Sequence, residues 1–116
     1  MAYPEFAEKG VTPLFDNMMG QNLIQHSLFA FYLTNDKNQF DSELTFGYYD
    51  RTKFQGEISW FPAIYKMMFG IKLDDIIING KKMNFCGEGG VLKECIITVD
   101  SGTSYLSVPS KVMEKL

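Results

Sequence analysis

The chain has 116 residues, 46% hydrophobic and 22% charged, which is the length of one domain and the balance of a packed globular segment rather than a disordered one. Its net charge of -3 is spread along the sequence, with no charged block longer than Asp74-Asp75 or Lys81-Lys82, so nucleic-acid binding is not indicated. No apolar run reaches the roughly 18 residues of a membrane span, and the first turns of sequence lack the basic start, apolar centre and cleavage site of an export signal.

In chain order, Thr12 as cap, Pro13 at the first helical position and a closing Gly20 predict a short helix. Leu28 to Leu33 is a nearly continuous apolar and aromatic run and reads as a buried strand, ended by the turn residues Asn35-Asp36-Lys37-Asn38. A period of two follows, in Leu44, Phe46 and Tyr48, in Ile58 and Trp60 before Pro62, and in Phe69, Ile71 and Leu73. Each is predicted to be a half-buried strand.

Ile76-Ile77-Ile78, then Asn79-Gly80, then Met83 and Phe85 in alternation is a hairpin signal, because Asn-Gly accepts the positive dihedrals of a tight primed turn. Cys95 to Val99 predicts a further strand that runs directly into Asp100. Pro109 opens an expected helix with Val112, Met113 and Leu116 on one face. Six or seven short strands with little helix place the chain in the all-β class.

Cys86 and Cys95 flank the loop Gly87-Glu88-Gly89-Gly90. One reading is a short-loop disulfide, which would stabilise by roughly 2 to 3 kcal/mol and place the protein in an oxidising compartment. The other is a pair of free thiols. A metal site is disfavoured because His26 is the only histidine and lies far off in sequence. The glycine-rich loop opens no helix and has no Lys-Ser or Lys-Thr after it, so it is not a phosphate cradle. No Gly-x-Ser-x-Gly elbow is present, and His26, in polar loop sequence, is no general base for a serine nucleophile. No metal ion or cofactor is expected.

The candidate chemistry lies at Asp100-Ser101-Gly102-Thr103-Ser104. A carboxylate at a strand end is held by a rigid element and followed at once by donors: Gly102 allows close backbone approach, and the Ser101 and Thr103 hydroxyls can orient it. The same five residue types also occur wherever a strand ends and the chain reverses, so the turn alone leaves an ordinary structural role open.

The order of segments resembles the pepsin, cathepsin D and plasmepsin family of bilobal aspartic proteases along nearly the whole chain. Ala2-Tyr3-Pro4 is similar to the stretch after the first lobe's Ile-Leu-Gly, and Thr12 to Asn17 to the family's Thr-Pro-Val-Phe-Asp-Asn helix. Thr45-Phe46-Gly47-Tyr48-Tyr49-Asp50 resembles the Leu-Gly-Gly-Ile-Asp segment that crosses between lobes, with Tyr48 in place of the second glycine. Gly56 to Pro62 resembles the strand entering the second lobe, and Cys86 and Cys95 fall where the family has a small disulfide loop, here longer than the minimal one. Ile97 to Ser104 is similar to the second Val-Asp-Thr/Ser-Gly-Thr-Ser motif, with Ser101 where many members have Thr.

The resemblance implies that residues 1-50 end the first lobe and contain the crossing strand, and that 51-116 begin the second. It implies Asp100 as one catalytic aspartate, supported by Ser101, Gly102 and Thr103, with Thr103 and Ser104 contacting substrate backbone and Met68 or Phe69 lining a leaving-side pocket. The partners implied are a protein or peptide substrate and the first-lobe half carrying the second aspartate, because no other Asp-Thr/Ser-Gly-Thr/Ser motif occurs in the chain. Pairing of two identical chains, as in retroviral proteases, is not expected, since too little of the lobe follows Asp100. The implied location is the secretory pathway, secreted or in an acidic vacuole or lysosome-like compartment. Two other readings stand beside it: a catalytically inert, protease-derived β module that binds a partner through strand edges, and an unrelated β protein in which Asp100 merely ends a strand.

Overall fold

A computed structural model describes residues 1, 3-35 and 42-115. The chain divides into two compact units, one of Thr12–Trp60 with Met1 and one formed by the described parts of residues 2-11 and 61-116. The described residues form three two-stranded antiparallel sheets and two short α-helices, a mainly β composition. None of the described helices is long and apolar enough to cross a membrane.

In the first unit, α1 spans Leu14–Gly20. Pro13 occupies the cap position rather than the first helical one, and Thr12 caps nothing with its side chain; its carbonyl instead accepts a hydrogen bond from Asn17 Nδ2 at 3.1 Å. Nor does Gly20 end the helix by a left-handed turn. That conformation falls on Asn22, with φ of +54°, a residue type that tolerates it. β1 (Phe29–Tyr32) pairs with β2 (Glu43–Phe46), placing Phe29 opposite Phe46 and Tyr32 opposite Glu43. Phe15 of α1 lies 5.3 Å from the Phe29 ring centre and 6.3 Å from that of Phe46, so these three aromatic rings form one apolar cluster of this unit.

The alternation Leu44, Phe46, Tyr48 does not describe β2. Thr45 is the buried residue, Leu44 and Tyr48 are exposed, and the strand stops at Phe46 because Gly47 turns the chain with φ of +81°. A buried hydroxyl is tolerated here because Thr45 Oγ1 donates to the Tyr48 carbonyl at 2.8 Å. The strand expected at Ile58 and Trp60 does not form either. That segment is irregular, Trp60 is exposed, and no strand pairs with it among the described residues; alternation makes a strand only where a partner supplies the ladder. Asp36, Lys37 and Asn38 of the expected turn lie outside the described residues.

In the second unit, β3 (Gly70–Leu73) pairs with β6 (Cys95–Thr98), Gly70 facing Thr98 and Leu73 facing Cys95. β3 starts later than the alternation from Phe69 predicts, because Phe69 takes the left-handed conformation, φ +51°, after a 3-10 turn at Lys66–Met68. A Cβ on Gly70 would come within 2.8 Å of the side chains of Ile96 and Tyr65, so only glycine fits where the strand begins. Between these strands the hairpin β4 (Ile77–Ile78) and β5 (Lys81–Lys82) forms as the sequence predicts, with both Asn79 (φ +50°) and Gly80 (φ +77°) in positive dihedrals.

Asp75 closes the base of that hairpin. Its Oδ1 accepts the Phe85 N–H and its Oδ2 the Asn84 N–H, both at 2.9 Å. Phe85 is 1% exposed, and with Val112 it is the fully buried apolar side chain of this unit among the described residues. Cys86 and Cys95 form a disulfide with their Cα atoms 5.6 Å apart, which joins the loop after the hairpin to the start of β6. α2 (Ser110–Met113) follows Pro109, which again caps rather than opens the helix. One turn of helix presents one residue inward: Val112 is buried, Met113 is exposed against expectation, and Leu116 lies outside the described residues.

Candidate functional site

β6 ends at Thr98, and two residues later Asp100 begins a tight turn. The strand is fixed at its start by the disulfide and along its length by β3, so the carboxylate is carried on a braced element. Oδ1 accepts the Gly102 N–H at 2.9 Å and Oδ2 accepts the Thr103 hydroxyl at 2.5 Å, while the Thr103 N–H donates to the Asp100 carbonyl at 3.3 Å. Both oxygens are therefore bound by the turn that the residue itself opens. A Cβ on Gly102 would lie 3.3 Å from Oδ1, which is why a glycine amide can approach so closely.

These bonds favour the ionised form. The Thr103 hydroxyl, followed by the Gly102 N–H, holds the Asp100 carboxyl below its ordinary value, against a smaller opposing effect of burial. The group faces solvent, as do Ser101, Thr103 and Ser104. The Ser101 hydroxyl has no hydrogen-bond partner among the described residues.

A cleft of about 910 Å³ adjoins this turn. Its walls include Met68, Asp100, Thr103 and Ser104, together with the apolar Phe85 and Leu106. Phe69 is not on that surface; its ring lies 4.6 Å from that of Tyr3. The size is that of a ligand-scale site, and its mainly apolar lining carries the carboxylates of Asp100 and Glu94 together with several hydroxyls, those of Thr103 and Ser104 next to Asp100. His26 is exposed in the loop before β1, and no three His, Cys, Asp or Glu side chains among the described residues gather as a metal site. The residue that sequence reasoning passed over is Asp75. Its signal is turn chemistry: an aspartate at the foot of a predicted hairpin, able to accept amides from the returning strand.

The chain is a member of the eukaryotic aspartyl protease family, whose model matches residues 1–116. Among curated proteins it is similar to cathepsin E of Oryctolagus cuniculus, 43% identical over 111 residues that cover 95% of this chain and 26% of that protein. Cathepsin E of Rattus norvegicus is 42% identical over 117 residues, covering all of this chain and 28% of the relative. A pregnancy-associated glycoprotein of Equus caballus is 40% identical over 109 residues, covering 94% and 26% respectively. The chain thus spans about a quarter of the length of the curated relatives it matches.

Proposed function

We propose that Asp100 is one member of a carboxylate dyad in an aspartic endopeptidase, and that this chain supplies one half of that site and does not cleave peptide bonds by itself. The observation that carries the reading is the double hold on Asp100 by Gly102 and Thr103 at the edge of the cleft, in a chain of this family. Residues 1-50 then belong to the end of the first lobe and the crossing segment, and 51-116 to the start of the second.

Two carboxylates about 3 Å apart cannot both ionise cheaply, so the pair shares one proton. The donors around Asp100 stabilise its anion, which suits it to take a proton from a bound water as that water attacks the scissile carbonyl. The protonated partner donates a hydrogen bond to the carbonyl oxygen as negative charge develops there. Water is the nucleophile, so no acyl-enzyme forms. In this reading Thr103 and Ser104 bond substrate backbone, and Met68, on the cleft wall, bounds a leaving-side pocket to which Phe69 does not contribute.

The sequence holds one such motif, which leaves the base without its acid. The disulfide fits an oxidising environment, and the dyad chemistry fits an acidic one, in the secretory pathway or a vacuole or lysosome-like compartment. The test compares cleavage of a peptide library at acidic pH by the 116-residue chain, by a longer natural polypeptide containing it, and by that polypeptide with Asp100→Ala. Pepstatin-sensitive activity confined to the longer unsubstituted polypeptide is expected. Activity that survives Asp100→Ala, or that the short chain shows alone, would overturn the proposal.

A further inference from the structure

The feature that neither the family motif nor the dyad reading uses is the carboxylate of Asp75. It lies just past β3, whose last residue Leu73 pairs with Cys95, the first residue of β6. Its two oxygens take the N–H groups of Asn84 and Phe85, the two residues that precede Cys86. Cys86 is in turn bonded to Cys95. The Phe85 carbonyl accepts the Leu92 N–H at 2.8 Å and the Leu92 carbonyl the Gly87 N–H at 2.9 Å, which fold the glycine-rich loop onto the same anchor.

Traced as connections, these contacts close a ring: β3 to Asp75, across two amide bonds to Phe85, through the disulfide to Cys95, and back by the ladder to β3. β6 leaves that ring at its far end, Thr98, two residues before Asp100. From this closed frame we infer that Asp75 is a positioning residue for Asp100: by clamping Asn84 and Phe85 it fixes the disulfide end of β6 and so the strand that carries the Asp100 turn. Its relevance to peptide hydrolysis rests on the dyad reading above, whereas the positioning itself concerns geometry and holds or fails without it.

Several features make the clamp more than a loop contact. Phe85 is the most buried side chain described, so its amide sits where water is a poor substitute for the Asp75 oxygen. Asn84 takes a left-handed conformation, φ +53°, which directs two successive N–H groups at one carboxylate. Neighbouring Asp74 does nothing comparable: it is exposed and pairs with Lys72 at 3.7 Å.

The experiment follows the carboxyl titration of Asp100 and the amides of Asn84, Phe85, Gly102 and Thr103 by NMR in the 116-residue chain, with Asp75→Ala, Asp75→Asn and Asp74→Asn. Sign separates positioning from charge. Removing a nearby negative charge lowers the pKa of a remaining carboxyl, whereas loosening the Gly102 and Thr103 bonds raises it. Asp75→Ala is expected to remove exchange protection at Asn84 and Phe85 and to move the Asp100 titration upward toward the ordinary aspartate range. Gly102 should lose its response to that titration. Asp75→Asn keeps one acceptor oxygen and should give a smaller shift of the same sign; if Asp75→Ala fails to fold, this variant decides the matter. Asp74→Asn should leave Asp100 unchanged or slightly lower.

An unchanged or lowered Asp100 titration in Asp75→Asn and in any folded Asp75→Ala would overturn the inference and leave Asp75 a local hairpin tie. Activity of the full-length polypeptide is a separate readout. Loss of cleavage in Asp100→Ala tests the dyad, and that result can fail while the NMR result stands, or the reverse.

Discussion

Phe85→Ala is the substitution whose cost the structure defines best. The side chain is 1% exposed, and its neighbours include the Asp75 clamp and the Cys86 disulfide, which restrict how far the site can collapse around a void. Truncating a buried phenylalanine costs about 3 to 5 kcal/mol when relaxation is limited. The backbone bonds of residue 85 survive the change, so the loss is one of packing alone. With a urea dependence of about 2 kcal/mol per molar, the unfolding midpoint should fall by about 2 M. Leu106→Ala is the control, because Leu106 is 94% exposed and its truncation should stay within about 0.5 kcal/mol. Urea unfolding followed by circular dichroism compares them. Equal midpoints for the two variants would show that Phe85 does not organise the second unit and would refute the packing argument.

Thr103→Val removes the hydroxyl that contributes most to the low Asp100 pKa, so the carboxyl should titrate higher in an NMR experiment, and Thr103→Ser should restore it. Gly102→Ala inserts a Cβ 3.3 Å from Oδ1 and should reduce peptide cleavage by the full-length polypeptide by roughly an order of magnitude or more, with little change in its thermal midpoint. Asp50, Asp75 and Asp100 all have folded-state values below the ordinary 3.8, so each contributes stability above that value and loses it as pH falls through the folded-state value. The urea midpoint of the chain should therefore be level above that point and decline below it, and Asp75→Asn should flatten the decline. Reduction of Cys86–Cys95 should lower stability by roughly 2 to 3 kcal/mol, read as a fall in the melting temperature under reducing conditions.

What the sequence disclosed was governed by local chemistry. Asn79-Gly80 specified its turn because both residues accept positive φ, and Cys95 to Thr98 is a strand that β3 completes. Where the outcome depended on a partner elsewhere, pattern failed. Ile58 and Trp60 alternate but find no pairing strand among the described residues, and Thr45 is buried in preference to Leu44 because the Tyr48 carbonyl is there to receive its hydroxyl. At the site, the residue types advertise donors around Asp100 without saying which are used. Gly102 and Thr103 take the two oxygens, and the Ser101 hydroxyl takes neither. Asp75 was hidden for the same reason, since its partners lie on the returning side of the hairpin.

The missing side chain at Gly70 sets the alignment of β3 with β6. Sliding one strand past the other by a single residue would bring Phe69 or Ile71 to the point where Tyr65 and Ile96 leave no room for a Cβ, and would exchange the two faces of β6. An aligned pair with an empty position at its head has one low-energy offset. The direction in which the chain emerges after Val99, and hence which way the Asp100 carboxylate is aimed, is thereby decided at Gly70. A side chain at that glycine would therefore cost the strand offset on which the aim of the Asp100 carboxylate depends.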